Sequence, residues 1–350
     1  MALTFPTLAA ILNHGHDTLI DVRSPAEYAE DHIPGAINLP VLSNDERATV
    51  GTIYVQDSPF RARKIGAALI FRNAATHIEG PLADKEGGWR PLVYCWRGGQ
   101  RSGSFAYLLR EIGWRAETVA GGWQAYRRLV HTALYDEPLR HRVILLDGYT
   151  GTAKTDLLPR LAARGVQVID LEGLANHRGS LLGARPGGQP GQKGWESALA
   201  GQLATFDPDR PVVLEAESNK VGDLLIPPAL WAAMKSAPRV EIAAPLLARA
   251  AYLTVAYRDL WTDADRLSAR LNQLDRLRGR ETVDRWLALL HEGRMTDLAA
   301  ALMADHYDPA YAKSRQKIGA RTAATVTTDT LDAAGLDTAA DKLAEAIARL

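Results

Sequence analysis

The sequence predicts an α/β protein: two successive α/β domains and a helical C-terminal part. Three observations predict it. Short apolar runs alternate with helical stretches, two of those runs end in glycine-rich turns that open helices, and the pattern beyond residue 245 is helical. Strand, loop and helix in repeated order imply sheets with right-handed crossovers. A chain of 350 residues is comfortable for two domains. The expected division is residues 1–136, 137–245 and 246–350, with the last part packed on the second domain.

In chain order, Thr18–Val22 is a buried strand stopped by the turn at Ser24-Pro25. Pro91–Tyr94 is a second strand, running straight into Cys95. Ser102 to Ile112 reads as a helix ended by Gly113, then Glu117–Val119 as a short strand. Gly121-Gly122 and a helix from Trp123 to Val130 follow. Val143–Leu146 opens the second domain, with further strands at Val166–Ile169 and Pro211–Leu214. Between these last two, the Gly-, Pro- and Gln-rich stretch Arg178–Lys193 is too long for a simple connector and reads as a functional loop. A final helix closes the chain around Ala339–Leu350.

Hydrophobic residues make up 47%, ordinary for a globular protein. No apolar run is long enough to span a membrane, and the N-terminus lacks the charged start and cleavage site of a signal peptide. With one cysteine there is no internal disulfide framework, so a reducing, cytoplasmic setting without a membrane is expected. Lys+Arg and Asp+Glu balance at 41 each, so any nucleic-acid surface must be a local patch.

Cys95-Trp96-Arg97-Gly98-Gly99-Gln100-Arg101-Ser102 lies between a strand and a helix. A glycine-rich turn lets backbone N–H groups converge, and the helix N-terminus adds its positive end. A cysteine there is biased toward thiolate, the nucleophilic form. Arg101 is expected to close the ring and complement an anion, and Cys95, Arg97 and Arg101 are the candidate catalytic residues. The cradle suits attack on a chalcogen or phosphorus centre. The bland alternative is a small cysteine packed at a strand end.

Gly148-Tyr149-Thr150-Gly151-Thr152-Ala153-Lys154-Thr155 follows an apolar strand and opens a helix, the context of a phosphate-binding loop. Gly148, Gly151 and Thr152 shape the cradle, Lys154 contacts phosphate oxygens, and Thr155 ligates Mg²⁺ where a metal is present. Ala153 stands where the standard pattern has glycine, a change tolerated only without positive φ. The strand ending at Leu214 continues into Glu215 and Glu217, which share one side of an extended chain. They read as a base or metal ligand, or as an edge pair salt-bridged to arginines. No aspartate ends that strand, which counts against ordinary Mg·ATP hydrolysis.

Asp21-Val22-Arg23-Ser24-Pro25 with Glu27-Tyr28, then His32-Ile33-Pro34-Gly35-Ala36 with Asn38-Leu39-Pro40, resembles the entry segment of rhodanese-like domains. The resemblance implies that Asp21 and Arg23 brace the active-site loop. Five residues between Cys95 and Arg101 make that loop roomier than the usual sulfurtransferase pattern. The same spacing occurs in thiolate phosphatases, so a phosphatase reading stays open.

A rhodanese-like unit followed by a P-loop unit resembles the tRNA 2-selenouridine synthase family along nearly the whole chain. The resemblance rests on Asn44–Asn73, Cys95–Ser102, His177-Arg178-Gly179-Ser180, Gln192-Lys193 with Glu196-Ser197, Glu215–Ser218 with Val221-Gly222, and Tyr307-Asp308-Pro309. It implies replacement of sulfur by selenium in wobble 2-thiouridine, with selenophosphate as donor and an S-geranyl intermediate made from geranyl diphosphate. On that resemblance the P-loop holds a diphosphate, Cys95 serves selenium transfer, tRNA is the partner, and a selenophosphate-supplying enzyme is a second candidate partner.

Trp96, His177, Arg178, Ser180 and Lys193 are the RNA or substrate candidates, with Trp195 as a further stacking residue. Arginines 266, 270, 276, 278 and 280 are further candidates for phosphate contacts. They also suit a solvated face paired with Asp263, Asp265, Asp275 and Glu281. Two other readings compete: a sulfurtransferase or phosphatase fused to an ATP-dependent kinase of a small molecule, and a non-enzymatic RNA sensor.

Overall fold

The structure, a computed structural model, describes residues 1–179, 183–261, 263–318 and 321–350. It forms two compact units. One joins Met1–Pro138 to Pro190–Thr205, the other Leu139–Gln189 to Phe206–Leu350.

The first unit holds β1 (Ala2–Leu3), β2 (Thr18–Asp21), β3 (Ile37–Asn38), β4 (Pro91–Tyr94) and β5 (Glu117–Val119). They form one parallel sheet in the order β1-β5-β4-β2-β3. β4 is central and buried along its whole length, as a parallel strand covered on both faces must be. Beside it, Arg23 and Asp21 form a buried ion pair, 2.6 Å from Nη2 to Oδ2. The same guanidinium donates to the Asp31 carbonyl at 2.6 Å. Its Cζ also lies 5.9 Å from the centroid of the Trp96 ring, in the cysteine loop.

Between β3 and β4 lies a pair of helices, Asn44–Gln56 and Pro59–Glu79, joined through Asp57-Ser58. The first is opened by a capping box: Ser43 Oγ accepts from Glu46 N, and Glu46 accepts from Ser43 N. The second starts with Pro59 in its first turn and Ser58 as its cap.

The helix Gln192–Thr205 belongs to this first unit, which corrects the expected division. Its Trp195, Leu199 and Leu203 are buried there, and Glu196 accepts hydrogen bonds from Arg127 and from Tyr135. Sequence order assigned this helix to the second domain; its apolar face finds its core in the first.

The second unit holds β6 (Val143–Asp147), β7 (Gln167–Ile169), β8 (Val212–Glu215), the short antiparallel pair β9 (Lys220–Val221) and β10 (Leu224–Leu225), β11 (Arg239–Ala243) and β12 (Thr322–Thr327). Its main sheet is parallel, in the order β12-β11-β6-β8-β7. Side chains from β6, β8 and β11 share an apolar core with the helices Lys154–Ala163 and Ala333–Ala348. A separate apolar cluster around Leu271, Trp286 and Leu298 holds the intervening helices together.

Residues 246–350 are therefore not purely helical, since β12 extends the sheet. Neither β11 (RVEIA) nor β12 (TAATVT) is a continuous apolar run. Among the described residues, no helix is long and apolar enough to cross a membrane.

Removing one member of the Asp21–Arg23 pair strands a buried charge. Asp21→Ala is expected to destabilise the chain by about 3–5 kcal/mol, and Asp21→Leu combined with Arg23→Met by much less. Urea unfolding of the full chain measures both.

Candidate functional sites

Cys95 sits at the carboxyl end of the central strand β4. Its carbonyl accepts from Trp123 N at 2.8 Å, and the Trp96 carbonyl accepts from Gln124 N at 3.0 Å. These bonds dock the cysteine loop onto the start of the helix Gly122–His131. The fit demands glycine at position 122, where φ is +56° and a Cβ would stand 2.2 Å from the Cys95 carbonyl oxygen. A Cβ at Gly98 would stand 2.7 Å from the Val119 carbonyl oxygen. The paired glycines serve close backbone approach as much as flexibility.

The thiol is 3% exposed and backed by an apolar cluster that includes Ile20, Ile70 and Phe105. Ser102 Oγ donates to Cys95 Sγ at 3.1 Å. Outside it, Arg97, Gly98, Gly99 and Gln100 are exposed. Arg101 holds Glu27 with both guanidinium nitrogens, at 2.6 and 3.2 Å, a partner the sequence did not suggest. Burial pushes the Glu27 carboxyl up, but the Arg101 hydrogen bonds and charge outweigh it, and its pKa lies below the ordinary value. Arg97 donates to Gln124 Oε1 at 3.2 Å, and Trp96 packs on Trp123 with ring centroids 4.5 Å apart.

The glycine-rich turn after β6 lines a cavity of ≈ 400 Å³ at the carboxyl ends of β6 and β8. Carboxyl ends of parallel strands are the usual ligand face of an open α/β sheet. Lys154 Nζ lies across the turn and donates to the Gly148 carbonyl at 2.7 Å, while Thr152 Oγ1 donates to the Tyr149 carbonyl at 2.8 Å. Gly151 has φ +83° and Gly148 φ +153°. Ala153 also has positive φ, +59°, contrary to the condition set for it. It holds a left-handed conformation with its methyl buried, at a cost of about 1–2 kcal/mol.

Acids crowd one wall. Glu215 and Glu217 line the cavity with Glu172. Glu215 is buried and accepts from Leu171 N at 2.9 Å, bracing the short helix Leu171–Leu174. Burial first, then Asp170 and Glu172, push its carboxyl well above the ordinary range. Glu217 is pushed up to about 8, by burial first and then by the charge of Glu172. Glu217 and Glu172 share a hydrogen bond, and Thr155 Oγ1 donates to Glu172 Oε2 at 3.1 Å.

The rest of the lining was not read from the sequence. It carries Tyr252, Tyr257, Tyr307 and Tyr311, together with Arg239 and Arg315. Asp147, the last residue of β6, ties these together. It accepts from Tyr311, from Arg239 at 3.0 Å and from Gly148 N at 2.7 Å, with Arg315 at 3.3 Å. An acid closing the strand before the turn was the visible signal. Its arginine and tyrosine partners come from over 90 residues away and left none.

Models for a tRNA 2-selenouridine synthase AAA domain and a rhodanese-like domain match residues 141–338 and 4–129. A tRNA 2-selenouridine synthase from Hahella chejuensis is 33% identical over 85% of this chain and 86% of its own length. One from Pseudomonas syringae pv. tomato is 32% identical over 87% and 90%, and one from Aeromonas salmonicida 36% over 69% and 66%. The chain belongs to the tRNA 2-selenouridine synthases. These are enzymes of tRNA modification, and both folds expected from the resemblance are present.

Within this synthase the RNA candidates scatter. Arg178 lies over the Tyr257 ring at 4.6 Å and lines the cavity. His177 Nδ1 accepts from Gly179 N at 3.1 Å and braces the turn without lining the cavity; burial lowers its pKa. Ser180 lies outside the described residues. Lys193 falls in the first unit, paired with Glu30 at 2.6 Å. Trp195 is fully buried and cannot stack on a base. Arg280 pairs with Asp284 and Arg278 with His306, rather than with the acids expected from spacing. Among the described residues no group of three or more His, Cys, Asp or Glu side chains is arranged to hold a metal ion.

Two outcomes follow for the second unit. Ala153→Val, β-branched at positive φ, is expected to cost about 2 kcal/mol or more, whereas Ala153→Gly stays within about 1 kcal/mol of the wild type in urea unfolding. Glu217 keeps its proton in the folded state up to about pH 8, against an ordinary 4.5. The folded state therefore binds more protons across that window, and stability falls as pH rises through it. Glu217→Gln is expected to flatten that decline in thermal melts.

Proposed function

We propose that this chain converts wobble 2-thiouridine of tRNA into 2-selenouridine with selenophosphate, through an S-geranyl intermediate formed from geranyl diphosphate. The observation that carries this reading is the make-up of the P-loop cavity. Lys154 and the backbone N–H groups of the turn suit a diphosphate, four tyrosine rings suit an apolar allylic chain, and protonated acids stand where NTP hydrolysis uses a metal-holding aspartate.

In the first step a bond forms between the thiouracil sulfur and the allylic carbon, and the carbon–oxygen bond to diphosphate breaks. Diphosphate leaves with the electron pair, held by Lys154 and the turn. The ring N3 proton is lost, and the ionised member of the Glu172–Glu217 pair accepts it. Any Mg²⁺ beside the diphosphate would be held by Thr155 and Glu172.

In the second step Cys95 attacks the phosphorus of selenophosphate. A sulfur–phosphorus bond forms, the phosphorus–selenium bond breaks, and selenide leaves with the pair. Water then releases phosphate and regenerates the thiol. Selenide adds at C2 of the base as the carbon–sulfur bond breaks, and sulfur departs as the geranyl thiolate and takes up a proton. Because the thiol is nearly sealed, the exposed segment 97–100 must move aside for this attack. Arg101 positions the loop through Glu27. An enzyme that makes selenophosphate is the natural supplying partner.

The test uses purified full-length protein with 2-thiouridine tRNA, geranyl diphosphate and selenophosphate, read by nucleoside mass spectrometry. Lys154→Ala is expected to block S-geranyl-2-thiouridine, and Cys95→Ser to block 2-selenouridine while S-geranyl-2-thiouridine accumulates. Failure of both variants at one step would overturn the division of labour. Cys95-dependent phosphate release from small phosphoesters without RNA would favour the phosphatase–kinase reading instead.

A further inference from the structure

A second cavity, in the first unit, is given no ligand by the chemistry above. It measures ≈ 790 Å³ and lies between the helices Asn44–Gln56 and Pro59–Glu79 and the start of the helix Gln100–Ile112. Val50, Tyr54, Val55, Ala67 and Ile70 give it an apolar lining. Arg47, Arg63 and Arg101 also line it.

Three observations point to an apolar occupant near the cysteine. The helix Asn44–Gln56 buries none of its own residues, an unusual state for a 13-residue helix carrying Ile53, Tyr54 and Val55. Exposed large apolar side chains gather on the two helices: Tyr54 at 54%, Val55 at 82% and Phe60 at 73%. The cavity also abuts the cysteine loop, because Gln100 and Arg101 line it and Ile70 on its wall belongs to the apolar cluster that holds Cys95.

We propose that this cavity binds the prenyl chain of the S-alkylated wobble base during selenium transfer, with Arg47 and Arg63 set to meet the RNA backbone around it. The inference rests on the S-geranyl intermediate proposed above. Its chemistry follows from the second step. The group leaving C2 is a sulfur atom bearing a ten-carbon apolar chain, and that chain must lie beside the cysteine loop when selenide enters. An apolar cavity rimmed by cations matches a hydrophobic substituent carried on a polyanion, since chain burial supplies affinity and the arginines complement phosphate. Water alone gains nothing from apolar walls of this extent.

Ala67 is exposed on the wall of the cavity, so a large side chain there fills the space without breaking the core. The test supplies ready-made S-geranyl-2-thiouridine RNA and S-methyl-2-thiouridine RNA, each with selenophosphate, to the full-length wild-type enzyme and to Ala67→Trp. The wild type is expected to favour the geranyl substrate in kcat/KM by roughly tenfold or more, the scale of burying a few methylenes. Ala67→Trp is expected to abolish that preference through KM while leaving the S-methyl substrate unchanged, with an unaltered melting temperature. Equal loss on both substrates, or a retained preference, would overturn the proposal. Formation of S-geranyl-2-thiouridine from geranyl diphosphate is measured separately. If the wild type prefers the geranyl substrate but never makes it, the proposed first step fails and the cavity assignment stands.

Discussion

Parallel strands covered on both faces leave only their ends for chemistry, and that constraint places both candidate sites. In the first unit β4 is buried throughout and its chain emerges at Cys95; in the second, β6 is buried throughout and emerges at Gly148. At each exit the chain must turn sharply into a helix, so backbone N–H groups crowd together where an anion can meet them. The crowding has a steric cost that glycine meets at 98, 122, 148 and 151. At position 153 an alanine bears it instead.

Buried charge is the second constraint, and the units resolve it differently. In the first, each internal acid has a basic or donor partner: Asp21 has Arg23, Glu27 has Arg101, and Asp31 accepts from Trp123 at 3.0 Å. Such pairs fix side-chain geometry, and their net contribution to stability is small. In the second unit Asp147 has arginine partners in the same manner, while burial raises the pKa of Glu172, Glu215 and Glu217. Glu217, pushed up to about 8, is a group at the P-loop able to exchange a proton near neutral pH.

The parts of the fold written in local pattern were legible. β4, β5 and β6 fall where apolar runs meet glycine turns, and both loops were found from spacing alone. The capping box of the first helix between β3 and β4, at Ser43 with Glu46, and the Ser58 cap before Pro59 of the second were present in the letters, but the first helix's lack of a buried face hid its role. What sequence order could not show was partnership across distance. Arg101 reads as an anion ligand in its loop, yet its charge is taken by Glu27, 74 residues away. Lys193 and Trp195 read as RNA contacts, yet their helix serves as core and edge of the first unit. The tyrosines and arginines that line the P-loop cavity come from β11 and from several helices later in the chain, none of whose own patterns shows a site.

The central claim is that the two units perform separate steps on one base, joined by an alkylated intermediate. Single-turnover conversion of ready-made S-geranyl-2-thiouridine tRNA, with selenophosphate and no geranyl diphosphate, tests it most directly. The account predicts that Lys154→Ala forms 2-selenouridine at the wild-type rate while Cys95→Ser forms none. A Lys154→Ala enzyme unable to use the finished intermediate, or a Cys95→Ser enzyme that converts it, would contradict the account.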